Sequence, residues 1–137
     1  MKSMHYLPLI PRLKGLYVSM SFAPHMRWHC ENKRPPGVLC HPSDREAWKH
    51  FDSVYPDFSS EPRNIRLGLS TDGFTLFSVS TTPYSCWPVF LTPYNLQPEL
   101  CMMSQYIFLT CIIPGPRNPK VFINVYLQLL IDELNLL

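Results

Sequence analysis

Apolar positions follow two different periods along the chain and divide it into candidate elements. Close to the N-terminus, and again after Asn118, they recur every three or four residues, which is typical of helices with one buried face. Between these regions, alternating or continuous short apolar runs predict strands. Helices are expected just after Pro11, near 44–52 and after Asn118-Pro119. Strands are expected from Ile65 to a break at Asp72-Gly73, then at Phe74–Ser80, Cys86–Leu91 and Tyr106–Ile113.

Local signals refine these boundaries. Ser43 followed three residues later by Glu46 has the spacing of a capping box, and Pro56 should end the helix that begins there. Pro88 lacks a backbone N–H, so its strand should start late or lie at a sheet edge.

The order of elements suggests an α/β fold. A three-stranded meander followed by a helix is how a ribonuclease-H-like fold begins. The prediction is therefore an incomplete fold of this type over 61–137, preceded over 1–60 by a Pro- and basic-rich segment with its short helix. Because the last helix has no stop signal, the sequence is expected to be the front part of a larger domain.

Composition adds an uneven distribution of charge. Hydrophobic residues make up 46%, enough for a core, and 15 scattered prolines exclude a coiled coil. Residues 1–66 hold ten Lys/Arg and six Asp/Glu, whereas residues 67–137 hold two and four. Between Asp72 and Arg117 the only charge is Glu99, so this stretch is expected to be central sheet.

Nothing in the sequence predicts secretion or a membrane span. Five cysteines without a repeated spacing do not indicate a disulfide framework. The N-terminus lacks the features of a signal peptide, and no apolar run is long enough to cross a bilayer. We therefore expect a soluble intracellular protein that does not associate with membranes.

Three groups of residues are candidates for chemistry. Asp72, placed after a buried strand and followed by glycine, can present its carboxylate to a hard cation such as Mg²⁺, although Asp-Gly is also an ordinary turn. His25, His29, Cys30, Cys40 and His41 are zinc-competent types, but their spacing matches no standard zinc site and favours scattered loop residues. Cations interleaved with aromatic residues are candidates for nucleic-acid binding, namely Arg27, Lys33, Arg34, Arg63 and Arg66.

Several collinear blocks resemble one known family. The chain is similar to plant En/Spm (CACTA) transposases in the segments Tyr6–Lys14, Met26–His29, Gly37–Asp52, Pro62–Phe74, Trp87–Leu96, Ile113–Pro116 and Asn124–Leu134. This resemblance implies a nuclear DNA transposase with a ribonuclease-H-like domain, three catalytic acids and Mg²⁺. It makes Asp72 the expected first acid and metal ligand, and it leaves the other two acids unassigned to any residue here.

The function expected from the resemblance is DNA transposition by metal-dependent phosphoryl transfer. A chain with one of three acids is expected to be inactive alone, so the enzyme class stays uncertain. The expected partners are transposon ends and a full-length transposase, with no small-molecule substrate. Two alternatives stay open: a non-enzymatic remnant that binds DNA or transposase, and a transposon relic without function.

Overall fold

The computed structural model describes residues 3–32, 34–75 and 84–137, which form eleven helices and strands together with short 3₁₀ turns. In chain order the elements are β1 (His5–Tyr6), α1 (Ile10–Val18), α2 (Trp28–Glu31), α3 (Glu46–Val54), α4 (Pro56–Ser59), β2 (Leu67–Thr71), β3 (Phe74–Thr75), β4 (Ser85–Pro93), α5 (Pro98–Cys101), β5 (Phe108–Pro114) and α6 (Ile123–Leu134). Among these described residues, no helix is long and apolar enough to span a membrane.

The chain forms two compact units, each made of separate segments. Unit 1 contains Met1–Lys14, Leu69–Leu91 and Phe108–Leu137, and unit 2 contains Gly15–Gly68 and Thr92–Ile107. Both units therefore depend on residues that are distant in sequence.

One antiparallel sheet contains all the described strands. Its order is β1-β5-β4-β2, and β3 also pairs with β4. The register places Tyr6 opposite Cys111 and Trp87 opposite Ile113. The pairing of β4 with β5 shifts after Val89, where Thr110 is the extra residue and its hydroxyl donates to the Val89 carbonyl oxygen at 3.1 Å. The expected strands near 86–91 and 106–113 are confirmed, whereas β1 carries no periodic signal in the sequence.

Pro88 lies in an interior strand, so its expected position at an edge was wrong. β5 pairs with one side of β4, while β2 and β3 pair with the other. The proline is tolerated because its missing N–H lies beside the break between β2 and β3, where no ladder hydrogen bond is lost.

The core of unit 1 is the contact between α6 and the sheet. Val89, Cys111 and Ile113 are fully buried, and Ile123, Tyr126 and Leu127 of α6 lie against them. The expected helix after Asn118-Pro119 is confirmed, since Asn118 Oδ1 accepts a hydrogen bond from Lys120 N at 2.9 Å before α6 begins. Leu130 is buried on α6, whereas Ile131 and Leu137 are exposed, although both follow the helical period of the apolar residues.

The helix near 44–52 is present as α3, but its start differs from the prediction. The Ser43–Glu46 capping box was wrong. The box is formed one turn earlier, where His41 Nδ1 accepts from Ser43 N and the Asp44 carboxylate accepts from His41 N. Glu46 instead binds Lys49 on the surface. His41 and Asp44 close the box because burial and an arginine partner hold both side chains in place.

The mixed α/β class is therefore confirmed by the antiparallel sheet and the helices of the described residues, whereas the ribonuclease-H-like assignment stays a prediction. All five cysteines lie in the described part of the chain and are free thiols. The second expected strand, 74–80, is described only as far as Thr75.

Candidate functional site

Asp72 lies where the strand facing β4 is interrupted. Arg66 carbonyl oxygen accepts from Tyr94 N at 2.8 Å, so the start of β2 lies beside the end of β4. β3 pairs with the opposite end of β4, with Phe74 opposite Cys86. β2 and β3 therefore run in the same direction, and Asp72-Gly73 joins them without reversing the chain. The simple-turn interpretation of Asp-Gly is wrong.

Pro88 explains this interruption. Successive residues of a strand point their N–H and C=O groups to opposite neighbours. The carbonyl group of Val89 points toward β5, and the N–H group of Tyr94 points toward β2. The nitrogen of Pro88 therefore points toward β2 and β3. Phe74 lies opposite Cys86, and because the strands are antiparallel, Asp72 lies opposite Pro88. No hydrogen bond can form there, because proline has no N–H.

The Asp72 carboxylate is exposed at the side of a groove of about 460 Å³. Its Oδ1 accepts from Gly73 N at 2.7 Å. Gly73 approaches the indole of Trp87 so closely that a Cβ would lie 2.9 Å from Nε1, so a larger residue would displace the ring. The hydroxyl of Thr71, in the same groove, is buried and has no hydrogen-bond partner among the described residues.

These residues do not fit a complete Mg²⁺ site. Mg²⁺ requires six oxygen ligands in octahedral geometry and is usually bound by one or two carboxylates together with substrate phosphates. Within the described ranges, Asp72 is the one acid that lines its groove, and no three His, Cys, Asp or Glu side chains cluster as metal ligands. The other acids of unit 1 have different partners: Asp132 accepts from Gln128, and Glu133 accepts from the start of α1.

The predicted nucleic-acid-binding arginines fall into two groups. Arg34 and Arg66 are largely buried. Arg34 forms an ion pair with Asp44 and donates to Ser43 Oγ at 2.5 Å, while Arg66 forms an ion pair with Asp52. Their charges are therefore engaged inside unit 2.

Arg27 and Arg63 are exposed and line the same groove of about 410 Å³ in unit 2, although 36 positions separate them in the sequence. Each has a surface acid beside it. Arg27 Nε lies 3.3 Å from Glu31, and Arg63 Nη2 lies 2.7 Å from Glu61. Exposed pairs of this kind contribute at most about 1 kcal/mol, so a phosphate can replace the carboxylate. Lys33 lies outside the described residues.

The cysteine and histidine residues of the predicted cluster do not converge on one point as metal ligands would in the described structure. His29 Nε2 contacts Cys30 Sγ at 2.9 Å, while Cys40 Sγ contacts Asp44 at 3.7 Å. His41 is buried, with its ring 5.1 Å from Trp28. Burial, reinforced by the charge of Arg34, lowers the pKa of His41 to about 4. This arrangement explains His41 as a neutral core histidine.

Sequence reasoning missed two arrangements. The Glu133 carboxylate accepts from Leu9 N and Ile10 N, both at 2.8 Å, and from the Tyr6 hydroxyl. The guanidinium of Arg66 lies among aromatic rings, 4.1 Å from the centre of Trp48. The alternation of cation and aromatic residues was the only signal for the second arrangement, and no local signal indicates the first.

Comparison with known proteins identifies the family. Residues 36–137 match the model described as Transposase family tnp2. No curated protein and no solved structure gives a significant match. Since the match covers most of the chain, the chain belongs to this transposase family. Membership implies interaction with DNA in general.

Proposed function

We propose that the protein is an En/Spm (CACTA)-type transposase chain that holds DNA through unit 2 and does not catalyse transfer by itself. Family membership supports action on DNA. The single observation that carries the binding role is the shared groove of Arg27 and Arg63, because two exposed guanidinium groups on one concave surface suit successive phosphates of a DNA backbone.

Asp72 is the candidate catalytic acid of the chain. The resemblance to CACTA transposases makes it the first catalytic acid and a metal ligand, and its exposure at a strand interruption leaves it accessible. Phosphoryl transfer with two metal ions requires several converging carboxylates. Among the described residues, no second acid lines the groove of Asp72, which supports a chain that is inactive alone.

DNA binding is tested with a labelled duplex while the salt concentration is varied. We expect affinity to fall with salt, and we expect replacement of both groove arginines, Arg27→Gln with Arg63→Gln, to reduce the slope of log K against log salt by roughly 0.9 for each phosphate that is no longer neutralised. The matched control replaces the exposed cations Arg117 and Lys120 of unit 1 by Gln, with the same loss of charge. Equal effects of the two double variants would contradict a specific groove.

Catalysis is tested with the same chain, Mg²⁺ or Mn²⁺, and DNA carrying element ends. We expect neither nicking nor strand transfer. Activity that disappears in Asp72→Asn but persists in Asp57→Asn, the matched change of an exposed acid in α4, would overturn the proposed inactivity and establish Asp72 as catalytic.

A non-enzymatic remnant is the second candidate, and the same observation favours it, because the Arg27–Arg63 groove needs no acid to function. DNA binding that persists in Asp72→Asn, with no activity under any metal condition, is the outcome expected for it. No retention on DNA at low salt removes both candidates and leaves a relic without function.

A further inference from the structure

A second groove of unit 2 combines aromatic rings with two arginines. It encloses about 520 Å³, and the side chains that matter here are Arg45, Trp48, Phe51, Phe58, Arg66 and Tyr94. Sites of this composition differ from an ordinary apolar cleft because flat rings and fixed hydrogen-bond donors occur together.

The Arg66 guanidinium is held at the wall of this groove. Its centre lies 4.1 Å from the ring centre of Trp48, 4.9 Å from that of Phe51 and 5.8 Å from that of Phe58. Its Nη2 donates to the carboxylate of Asp52, which fixes the plane of the group. The other terminal nitrogen, Nη1, is buried and has no acceptor among the described residues. A buried donor without a partner is costly, so an arriving acceptor would be stabilised there.

The rings around Arg66 retain accessible area. Phe51 is 38% exposed and Phe58 is 36% exposed, and α3 contains no buried residue. Charge also favours an electron-rich ligand. Arg45 is exposed beside the groove, and Asp52 is the one acid that contacts Arg66 in the described structure.

We propose that this groove binds an unpaired base of single-stranded DNA. The base stacks on the exposed rings, one of its acceptor atoms receives the free hydrogen bond of Arg66 Nη1, and Arg45 binds the adjacent phosphate. A nucleobase offers flat faces and in-plane acceptors together, whereas an apolar peptide side chain would leave Nη1 without a partner. The inference rests on the proposed DNA function and specifies the form of DNA that unit 2 recognises.

The test compares two labelled oligonucleotides of about ten nucleotides by fluorescence anisotropy. One is oligo-dT, and in the other the central thymidines are replaced by abasic sites, which keeps the backbone charge. We expect roughly tenfold weaker binding of the abasic strand, since stacking on an aromatic side chain has about this effect per base. Phe58→Leu should weaken oligo-dT binding and reduce this difference. Phe122→Leu, an equally conservative change at an exposed phenylalanine of unit 1, should change neither.

Crosslinking locates the bound base. Oligonucleotides with 5-bromodeoxyuridine at the central position are irradiated with the full chain, and the crosslinked peptide is mapped by mass spectrometry. We expect crosslinks within 45–58 or at Tyr94, which line the groove. Circular dichroism of Phe58→Leu at the assay temperature distinguishes removal of the stacking ring from failure to fold. If Phe58→Leu is unfolded, the comparison with the abasic strand and the crosslink to the natural sequence still test the base-binding groove.

Failure of this inference can be distinguished from failure of the proposed function. Equal affinity for oligo-dT and the abasic strand, or crosslinks only at residues that do not line the groove, would overturn the base-binding groove. If duplex binding still depends on Arg27 and Arg63, the proposed function stands without it. Absence of binding to both duplex and single strand overturns both.

Discussion

At the scale of single residues, His41 shows how burial determines the role of a titratable group. Its Nδ1 accepts from Ser43 N at 3.1 Å, and Cys101 Sγ lies 3.9 Å from Nε2. The ring also lies edge-on to Trp28 and Trp48. The folded protein therefore favours neutral imidazole, and the pKa of His41 is about 4 against 6.5 in an unfolded chain.

The stability of unit 2 should depend on pH through this side chain. Because the folded pKa lies below the unfolded one, stability is complete above pH 6.5 and is lost as the pH falls from 6.5 toward 4. We expect a loss of about 2 kcal/mol between pH 7 and pH 5, measured by urea unfolding followed through signals of unit 2. His29, whose pKa burial also lowers, acts in the same direction.

Two variants isolate the contribution of His41. His41→Asn keeps a side-chain acceptor for Ser43 N and removes the titration, so its stability should fall less over the same pH range. His25→Asn changes an exposed histidine and should preserve the full dependence. If His41→Asn and the natural sequence lose equal stability, burial of His41 is not the cause.

The residue scale also shows what a sequence cannot reveal. In the sequence, nothing beside Arg34 or Arg66 distinguishes them from the exposed cations. Their aspartate partners lie 10 and 14 positions away, and only the fold shows that these pairs form. Arg27 and Arg63 could be recognised as exposed cations, but not as members of one groove.

At the scale of elements, one residue without an N–H group in β4 interrupts the strand beside it. Pro88 in β4 interrupts β2–β3 at Asp72, and the interruption leaves that carboxylate exposed. The position of a catalytic candidate is therefore determined by a residue 16 positions further along the chain.

Replacing this proline should join β2 and β3. Pro88→Ala supplies an N–H toward the 71–74 segment, so we expect slower amide exchange there, up to about tenfold, because one added hydrogen bond is worth about 1 kcal/mol. Hydrogen exchange resolved by NMR provides the measurement. Pro98→Ala, at the first position of α5, is the matched control and should leave 71–74 unchanged. Unaltered exchange in Pro88→Ala would show that Asp72-Gly73 breaks the strand for another reason.

The elements that could be predicted are those whose signal is local and repeated. Alternating and continuous apolar runs located β4 and β5, and the helical period located α1 and α6. β1 has two residues and pairs with β5 more than 100 positions away, so no period could reveal it. The capping box is formed by His41 and Asp44, because burial and the ion pair with Arg34 stabilise that turn. The sequence pattern of a helix cap includes neither burial nor a distant ion-pair partner.

At the scale of the whole molecule, Glu133 connects distant parts of unit 1. Its carboxylate caps the start of α1 by accepting from Leu9 N and Ile10 N, whose N–H groups have no partner within the helix. Burial alone would raise the pKa of Glu133, but these hydrogen bonds, the Tyr6 hydroxyl and the charge of Arg12 together lower it. This contribution is present above the ordinary pKa of 4.5 and is lost as the pH falls below it.

Glu133→Gln should destabilise unit 1 at neutral pH. The amide keeps one acceptor but loses the charge and the second acceptor, so we expect a loss of about 1–3 kcal/mol in the free energy of unfolding. Asp132→Asn, a neighbouring exposed acid, should change stability by less than about 0.5 kcal/mol. Urea unfolding of both variants provides the comparison, and equal stabilities would exclude Glu133 as an essential cap.

The same connection constrains the order in which the protein acquires its structure during synthesis. Glu133, the partner of Leu9 and Ile10, lies 124 and 123 positions after them and is therefore synthesised well after them. The start of α1 therefore stays uncapped until the segment with Glu133 has been synthesised, and contacts at such separation form slowly. Until α6 has been synthesised, the apolar face of β4 and β5 that it covers stays open to solvent, which exposes unit 1 of a newly made chain to aggregation.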